Sequence, residues 1–262
     1  MTPAEFLARY AIRKIDTLQL RDQQFDGADF SNQQFDHLRF FNCKFNNCRF
    51  DVSRFIDLRV WGSSFQSCSF RKAKLRDAAL GGLIENRPNT FEDSQFIEAD
   101  LRGSSYISAV FDRCDFENAK LKKVDFNGSR FTKCRFTGEL RETSFADVAF
   151  DHEDLQPNRM VEVDFTQAEL RWVEFRRLDL SKALLPQDEA HIVFPDFRRF
   201  LERAIKWLEP RGDLDARKIR AVLEVCLRHA PNMGVGVLNR LDFREEGEAE
   251  GALFDELVRH AA

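Results

Sequence analysis

The fold is decided by a stretch that begins at residue 25 and reads FDGADFSNQQFDHLRFFNCKFNNCRFDVSRFIDLRV through to residue 60. An apolar residue returns at every fifth position of this stretch, and the spacing continues through much of the chain. An α-helix repeats its buried face about every 3.6 residues and a strand about every 2 residues. A five-residue period therefore indicates a chain that turns a corner in each unit and points one large apolar side chain inward.

The large inward position, called here the centre of each unit, is apolar in 32 units that form three runs. The centres are Phe25, Phe30, Phe35, Phe40, Phe45, Phe50, Phe55, Val60, Phe65, Phe70, Leu75 and Leu80, then Phe91, Phe96, Leu101, Tyr106, Phe111, Phe116, Leu121, Phe126, Phe131 and Phe136, then Leu140, Phe145, Phe150, Leu155, Met160, Phe165, Leu170, Phe175, Leu180 and Leu185. Turn-forming residues from Gly81 to Asn89 predict a surface loop between the first two runs. The last two runs meet at Gly138, where the step is one residue short.

A second position, two residues before each centre, is usually small. Alanine, serine or cysteine stands there in most units, as at Ala28, Ser53 and Cys68. One bulky and one small inward residue in every five suits a chain that coils about a common axis, with the other three positions facing water. A single coil cannot bury its own centres, so stability must come from stacked neighbours and from caps at both ends.

Units such as Ala28-Asp29-Phe30-Ser31-Asn32 and Ala99-Asp100-Leu101-Arg102-Gly103 resemble the repeat of the pentapeptide-repeat family. The resemblance covers residues 20 to 185 approximately. It implies a mainly β fold, a right-handed quadrilateral parallel β-helix in which four units make one coil. The count of centres then predicts about eight coils.

Three regions are expected along the chain. Residues 1–19 would hold a capping helix at residues 3–15, with Phe6 and Tyr10 on its buried face. Residues 20–185 would form the β-helix. Residues 186–262 lose the five-residue rule and are predicted to be helical, with helix starts at Asp196 and at Asp213 or Asp215 and a last helix that contains Leu253. Their apolar faces are expected to pack on each other and on the last coil, and a homodimer through this region is the alternative.

The cysteines are expected to be core residues. Five of the six stand at the small inward position, namely Cys43, Cys48, Cys68, Cys114 and Cys134. Buried free thiols are the favoured interpretation. A disulfide or a metal site is the alternative, since two pairs of these cysteines are twenty residues apart and would lie on adjacent coils.

Nothing in the sequence indicates catalysis, so the protein is predicted not to be an enzyme and to have no cofactor or metal. The histidines are scattered, and no phosphate-binding glycine loop is present. The acidic stretch Asp151-His152-Glu153-Asp154 is interpreted as a solvated loop. Arg217, Lys218 and Arg220 are interpreted as a charged helix face.

Charge is unevenly spread along the repeats. Residues 20–80 carry a net charge of +3, residues 81–139 a net charge of −1, and residues 140–185 a net charge of −4. Basic side chains occupy one outward position in five successive units, at Arg39, Lys44, Arg49, Arg54 and Arg59. This basic girdle is interpreted mainly as a solubilising surface, with an electrostatic partner site as the alternative.

The resemblance also implies a function. Members of the Qnr group within this family resemble a B-DNA duplex, bind DNA gyrase or topoisomerase IV and protect it from poisons, with loops that matter for protection. The implied partner-binding residues here are Glu85, Asn86, Arg87, Asp147, Asp151, Glu153 and Asp154. The basic first third of the repeats departs from DNA mimicry.

The alternative is a scaffold, an adaptor or an exported effector that binds proteins through its C-terminal helices. Under either hypothesis the partner is a protein, and direct contact with nucleic acid is not expected. No signal peptide or long apolar run is present, so a bacterial cytoplasmic protein without membrane contact is expected.

Overall fold

The chain forms a parallel β-solenoid with a helix at its N-terminal end and a smaller, mainly helical unit at its C-terminal end. The computed structural model describes residues 3–11, 17–148, 156–231, 234–245 and 247–261. Helix α1 is Pro3–Ala11. The solenoid strands, in chain order, are β1 Leu18–Arg21, β2 Gln24–Asp26, β3 Gln34–Asp36, β4 Leu38–Phe41, β5 Lys44–Asn46, β6 Arg54–Ile56, β7 Arg59–Trp61, β8 Ser64–Gln66, β9 Leu83–Ile84, β10 Arg87–Pro88, β11 Thr90–Glu92, β12 Val110–Asp112, β13 Asp115–Phe116, β14 Leu121–Lys122, β15 Asp125–Asn127, β16 Arg130–Thr132, β17 Arg135–Arg141, β18 Ser144–Ala146, β19 Asp164–Arg171 and β20 Glu174–Arg176.

Four units make one turn of the solenoid, because strands twenty residues apart pair in parallel. Phe25 is opposite Phe45, and Phe45 is opposite Phe65. The outside therefore has four faces. The first face contains the centres Leu20, Phe40, Val60, Phe126, Phe145 and Phe175. The second face contains Phe25, Phe45, Phe65, Phe91, Phe111 and Phe131, and the third face contains Phe30, Phe50, Phe70, Phe96 and Phe116. The fourth face contains Phe35, Phe55, Leu75, Leu101, Leu121, Leu140 and Leu170.

The solenoid has about six regular turns, as measured by the six strands of its longest sheet, so the predicted count of eight coils is too high. One reason lies after Phe145. Val161 bridges to Thr132, so the centre that follows Phe145 on the path is Met160. The predicted centres Phe150 and Leu155 lie outside the described residues.

Aromatic rings fill the interior as stacked columns. The Phe45 and Phe65 rings are 4.8 Å apart between centroids and tilted by only 4°. This separation equals the distance between neighbouring strands, about 4.8 Å, because one ring stands on each strand of the ladder. Rings of adjacent faces meet edge-on, as do Phe91 and Phe96 at 5.6 Å and 64°. The axis is therefore packed with side chains rather than hollow.

The small inward residues bond to the coil before them. The Ser53 hydroxyl donates to the Phe30 carbonyl oxygen at 2.6 Å, and the Cys48 Sγ lies 3.6 Å from the Phe25 carbonyl oxygen. A small residue is required because the large centre already occupies the axis. All five cysteines at this position are buried free thiols, which confirms the favoured interpretation of their place in the core.

The N-terminal helix covers the first coil, as predicted. The Phe6 ring packs on Phe25, Phe30 and Phe35 with centroids 5.4–5.9 Å apart. The Asp36 backbone N–H donates to the Tyr10 hydroxyl at 2.5 Å. The described part of helix α1 runs to Ala11, and residues 12–15 of the predicted span 3–15 lie outside the described residues.

The C-terminal unit contains more than helices, which corrects the prediction for residues 186–262. Its elements are strand β21 His191–Phe194, helix α2 Phe197–Leu208, helix α3 Leu214–His229, strand β22 Gly236–Asn239, the 3-10 helix Arg240–Arg244 and helix α4 Glu248–Ala261. The two strands pair antiparallel. Gly236 lies in β22, and glycine is required there because a Cβ would be 2.3 Å from the Phe197 ring.

The three helices of this unit pack as predicted. Asp196 and Asp213 cap α2 and α3 through their side chains. The shared core contains Phe200, Leu201, Ala204, Leu208, Ile219, Leu223, Phe254 and Leu257. No helix of the described residues is long and apolar enough to cross a membrane.

Two side chains of this unit end the strand ladder of the solenoid. The Leu170 N–H donates to His191 Nε2 at 3.0 Å, and the Leu170 carbonyl accepts from Asn239 Nδ2 at 2.9 Å. The imidazole and the amide thus replace the backbone groups that a further strand would supply. These two hydrogen bonds satisfy the backbone N–H and carbonyl of Leu170, which would otherwise be buried without partners at the edge of the ladder.

Candidate functional site

The 81–90 segment forms an ordered β-hairpin on the outside of the solenoid. Strands β9 and β10 pair antiparallel, and Glu85 and Asn86 form the turn with left-handed backbone, φ 50° and 59°. Arg87 donates to Glu85 at 2.8 Å and to the Asn42 side chain at 3.2 Å. The three candidate residues of this segment therefore lie together at one exposed tip, and the predicted surface loop is confirmed.

The hairpin lies against two partly exposed aromatic rings. Phe41 and Trp61 stack with centroids 4.7 Å apart and planes 5° apart, and the Arg21 guanidinium lies 3.9 Å from the centre of the Phe41 ring. These three residues form the aromatic ladder. A Cβ on Gly82 would be 3.1 Å from the Trp61 ring, so the hairpin begins in direct contact with the ladder. Sequence reasoning missed this surface, although Phe41 and Trp61 stand twenty residues apart and each directly follows a centre.

The 147–159 segment is described at its two ends. The Asp147 carbonyl accepts from the Asn158 backbone N–H at 3.0 Å. Burial raises the pKa of Asp147, and the charges of Arg177 and Arg159 oppose that rise. The other candidates of this segment, Asp151, Glu153 and Asp154, lie outside the described residues.

The hairpin and the described ends of the 147–159 segment lie at the same edge of the solenoid. The 81–90 segment joins Leu80 on the first face to Phe91 on the second, and the 147–159 segment joins Phe145 on the first face to Met160 on the second. Three coils separate them, a distance of about 14 Å at the usual strand spacing. We call this edge the insertion edge.

A buried asparagine anchors the end of each segment. Asn89 accepts from Ser63 N at 2.8 Å and donates to the carbonyl oxygens of Val60 and Leu80. Asn158 accepts from Phe131 N at 3.2 Å. Each stands two residues before a centre, at the second inward position, so the interpretation of Asn89 as a turn-forming residue is wrong.

A cluster of carboxylates lies on the second face, which borders the insertion edge, and on the third face. We call it the acidic patch, and its members are Glu92, Asp93, Glu98, Asp112, Asp115 and Glu117. Glu92 is opposite Asp112 in the ladder. Arg113 bonds to Glu92 at 2.6 Å and to Asp93 at 2.7 Å, and Arg135 bonds to Asp115 at 2.9 Å. Lys72 pairs with Glu98 at 3.5 Å, so six carboxylates meet two guanidinium groups and one ammonium group.

Residues 140–185, the part of the repeats with the most negative net charge, differ from the acidic patch because they contact the C-terminal unit. Arg141 and Arg171 both bond to Glu245 of the C-terminal unit, at 2.7 Å and 2.5 Å. The Trp172 indole N–H donates to the same carboxylate at 2.9 Å. Part of this surface is therefore covered, and the more open acidic surface lies in the middle of the solenoid.

The basic girdle is partly neutralised. Asp57 accepts from Arg39 at 2.5 Å and pairs with Arg59 at 3.0 Å. Hydrogen bonds from Arg39 and His37 hold the pKa of Asp57 far below its usual value. Arg49 pairs with Asp51 and Asp29. In the described part of the chain, Lys44 and Arg54 have no ion pair within 4.0 Å, and no three His, Cys, Asp or Glu side chains are placed to hold a metal ion.

Residues 104–185 match the sequence profile of the pentapeptide repeat region. This match covers the second half of the solenoid repeats. No curated protein matches the chain. Among solved structures it is similar to QnrB1, a plasmid-mediated fluoroquinolone resistance protein, with 19% identity over 63% of this chain and 73% of that chain and a TM-score of 0.33.

Two further solved pentapeptide-repeat proteins are similar to it. HetL from the cyanobacterium Nostoc sp. strain PCC 7120, a protein involved in heterocyst differentiation regulation, shares 18% identity over 70% of this chain and 84% of that chain, with a TM-score of 0.22. Rfr23 from the cyanobacterium Cyanothece 51142 shares 10% identity over 70% of this chain and 98% of that chain, with a TM-score of 0.20.

Proposed function

We propose that this chain is a pentapeptide-repeat protein, a non-enzymatic binding rod whose protein partner contacts the insertion edge. The observation that carries the proposal is that the hairpin and the described ends of the 147–159 segment lie at that one edge. The interior is filled by stacked rings, so recognition must occur on the outer surface. The hairpin and the described ends of the 147–159 segment, about 14 Å apart, give a partner two points of contact on a rigid support.

The chemistry of the insertion edge suits a protein partner. Aromatic rings and arginine are enriched in protein interfaces, and the aromatic ladder offers both beside the hairpin. Glu85 and Arg87 add charged groups at the tip. The hairpin is fixed by its contacts with Trp61 and Asn42, so little backbone ordering remains to oppose binding.

DNA gyrase or topoisomerase IV is the partner that we propose for this edge. DNA carries a negative charge about every 1.7 Å, so a length of two coils, about 9.6 Å, corresponds to about six phosphates. The acidic patch places six carboxylates on two adjacent coils, on the second face that borders the insertion edge and on the third face. Lys72, Arg113 and Arg135 reduce its charge, and therefore we expect an interaction weaker than that of DNA and sensitive to salt.

The experiment is to titrate the purified protein into assays of gyrase supercoiling and of fluoroquinolone-induced cleavage, at about 50 mM and about 200 mM salt. Two variants are compared with the wild type. Glu85→Ala with Arg87→Ala alters the hairpin tip, and Glu92→Gln with Asp93→Asn and Asp112→Asn neutralises three carboxylates of the acidic patch. The control, Glu209→Gln with Glu224→Gln and Glu256→Gln, removes the same charge from the C-terminal helices.

We expect inhibition or protection that weakens at the higher salt, that both rod variants reduce, and that the control retains. No effect of the wild type at a large excess would contradict the topoisomerase partner. An effect that survives in both rod variants would contradict the insertion edge as the contact surface.

A second role, as a scaffold or adaptor that binds through the C-terminal unit, is favoured by one observation. Leu214 and Val225 on α3 are 60% and 40% exposed. A second copy of the chain is one candidate occupant of this surface. Deleting residues 186–262 would remove the cap of the solenoid together with this surface, so the test uses the single substitution Leu214→Glu. Loss of partner binding in this variant, or loss of a dimer measured by light scattering, would support the second role. Unchanged partner binding and an unchanged dimer would contradict it.

A further inference from the structure

A cavity of about 530 Å³ lies between the last coils of the solenoid and the C-terminal unit. The solenoid contributes Trp172 and Phe175 to its wall, helix α3 contributes Val222, Val225 and Cys226, and the 3-10 helix contributes Phe243. Most of these side chains are only half-buried, so apolar surface faces the cavity rather than a neighbouring side chain. We call this space the junction cavity.

We propose that the junction cavity binds a small, uncharged, aromatic molecule. Small-molecule sites usually enclose about 300–1,000 Å³, are mainly apolar and lie between structural units. The junction cavity has each of these properties. Rings at its wall, from Trp172, Phe175 and Phe243, favour a ligand that is itself flat and aromatic.

The charged groups around the cavity are already paired, which is why an uncharged ligand suits it. Glu174 accepts from Arg176 at 2.6 Å, and Asp242 accepts from Arg171 at 2.8 Å. Glu142 pairs with Lys123 at 3.4 Å. A charged ligand would lose its hydration without gaining a free counter-ion.

Two further polar side chains of the cavity wall are Cys226 and His229. Burial raises the pKa of the Cys226 thiol to about 12, so the thiol is neutral at physiological pH. The His229 ring lines the cavity, and the His229 carbonyl accepts from the Arg177 backbone N–H. A single hydrogen-bonding group on the ligand could therefore be matched by the imidazole without any ionic contact.

The volume argues against a peptide helix as the occupant. A helix about 10 Å wide with a 5.4 Å pitch occupies roughly 420 Å³ per turn. The junction cavity would hold little more than one turn, which is too short to bind as a stable helix. A small molecule fills the same space without that cost.

The test uses the full-length protein and the neutral fluorescent probe N-phenyl-1-naphthylamine, with binding followed by probe emission and by quenching of tryptophan fluorescence. Val225→Trp places an indole in the cavity wall at a position that is 40% exposed and therefore tolerant. Leu214→Trp is the matched control, because Leu214 lies on the same helix, is exposed, and is absent from the cavity wall. Circular dichroism and gel filtration establish that both variants are folded.

We expect saturable binding of one probe per chain, weakened at least about tenfold by Val225→Trp and unchanged by Leu214→Trp. Absence of saturable binding would overturn the proposal, as would equal affinity in the folded Val225→Trp variant. The latter result would place the probe elsewhere, such as on the aromatic ladder, and Trp61→Ser would then lower the affinity.

Discussion

At the scale of the residue, the corners of the solenoid set the sequence requirements. The residue two positions after a centre adopts left-handed backbone at most corners, with φ of 58° at Asn32, 52° at Asn42 and 53° at Asn47. Asparagine and aspartate tolerate this conformation better than other residues with a Cβ. This explains why polar residues of these two types recur at a position that makes no contact with the core.

Val52 occupies such a corner with φ 62° and a side chain that is 53% exposed. A β-branched residue is strained there, at a cost of about 1–3 kcal/mol. We expect Val52→Asn to raise the free energy of unfolding by about 1 kcal/mol, measured by urea denaturation. Val193→Asn, at an exposed valine in an ordinary strand, should not stabilise. Equal effects of the two substitutions would contradict the strain.

Gly81 is required for a different reason, a close approach between coils. A Cβ there would be 2.3 Å from the Ile107 backbone nitrogen. We expect Gly81→Ala to destabilise the protein by about 1–3 kcal/mol, the usual cost of overpacking. Gly212→Ala is the matched control, because a Cβ at Gly212 meets nothing within 4 Å. The measurement is the melting temperature of each variant. A Gly81→Ala protein that is as stable as the control would contradict the close approach.

At the scale of the element, the ends of the solenoid show how a repeat structure is terminated. Helix α1 covers the first coil with the Phe6 ring, an apolar cap. At the other end, His191 and Asn239 bond to both backbone groups of Leu170, a polar cap. The difference follows from what each end exposes, since rings face the N-terminal helix and unpaired strand groups face the C-terminal unit.

Removal of the polar cap should loosen the last coil. Asn239→Ala leaves the buried Leu170 carbonyl without this partner, which costs about 1–3 kcal/mol. We expect faster hydrogen exchange along β19 in Asn239→Ala and in His191→Ala, measured by mass spectrometry, with little change at β5. His260→Ala, at an exposed histidine, is the control. Unchanged exchange in β19 would show that the two side chains do not stabilise the ladder.

At the scale of the whole molecule, stacked coils form one continuous core from Phe6 to Leu185. Each coil is supported by its neighbours, so the stability of one unit depends on the units beside it. The second core, in the C-terminal unit, adjoins the end of this stack. The junction cavity lies where the two cores meet.

The continuous core should protect the cysteines along it. Cys43, Cys48, Cys68, Cys114 and Cys134 are buried, whereas Cys226 is half-buried beside the junction cavity. We expect a thiol reagent to leave the five solenoid cysteines unmodified in the native protein, and all six to react after denaturation without reductant. Fewer than six reactive thiols after denaturation would reveal a disulfide and contradict this prediction.

Part of the fold could be predicted because its signal is local. The five-residue period places Phe45 under Phe65 whatever the rest of the chain does, since each unit turns one corner and four corners return the chain to the same face. Helix caps at Asp196 and Asp213 are likewise local. The surface loop between Gly81 and Asn89 was predicted from its turn-forming residues for the same reason.

The sequence by itself thus determined the solenoid, its buried cysteines and the helices of the C-terminal unit, because these depend on neighbours along the chain. Only the tertiary structure decided that Phe145 is followed by Met160, that both irregular segments share one edge, and that His191 reaches Leu170. These features depend on contacts between residues distant in sequence. Their energies come from packing and hydrogen bonds that no local pattern encodes.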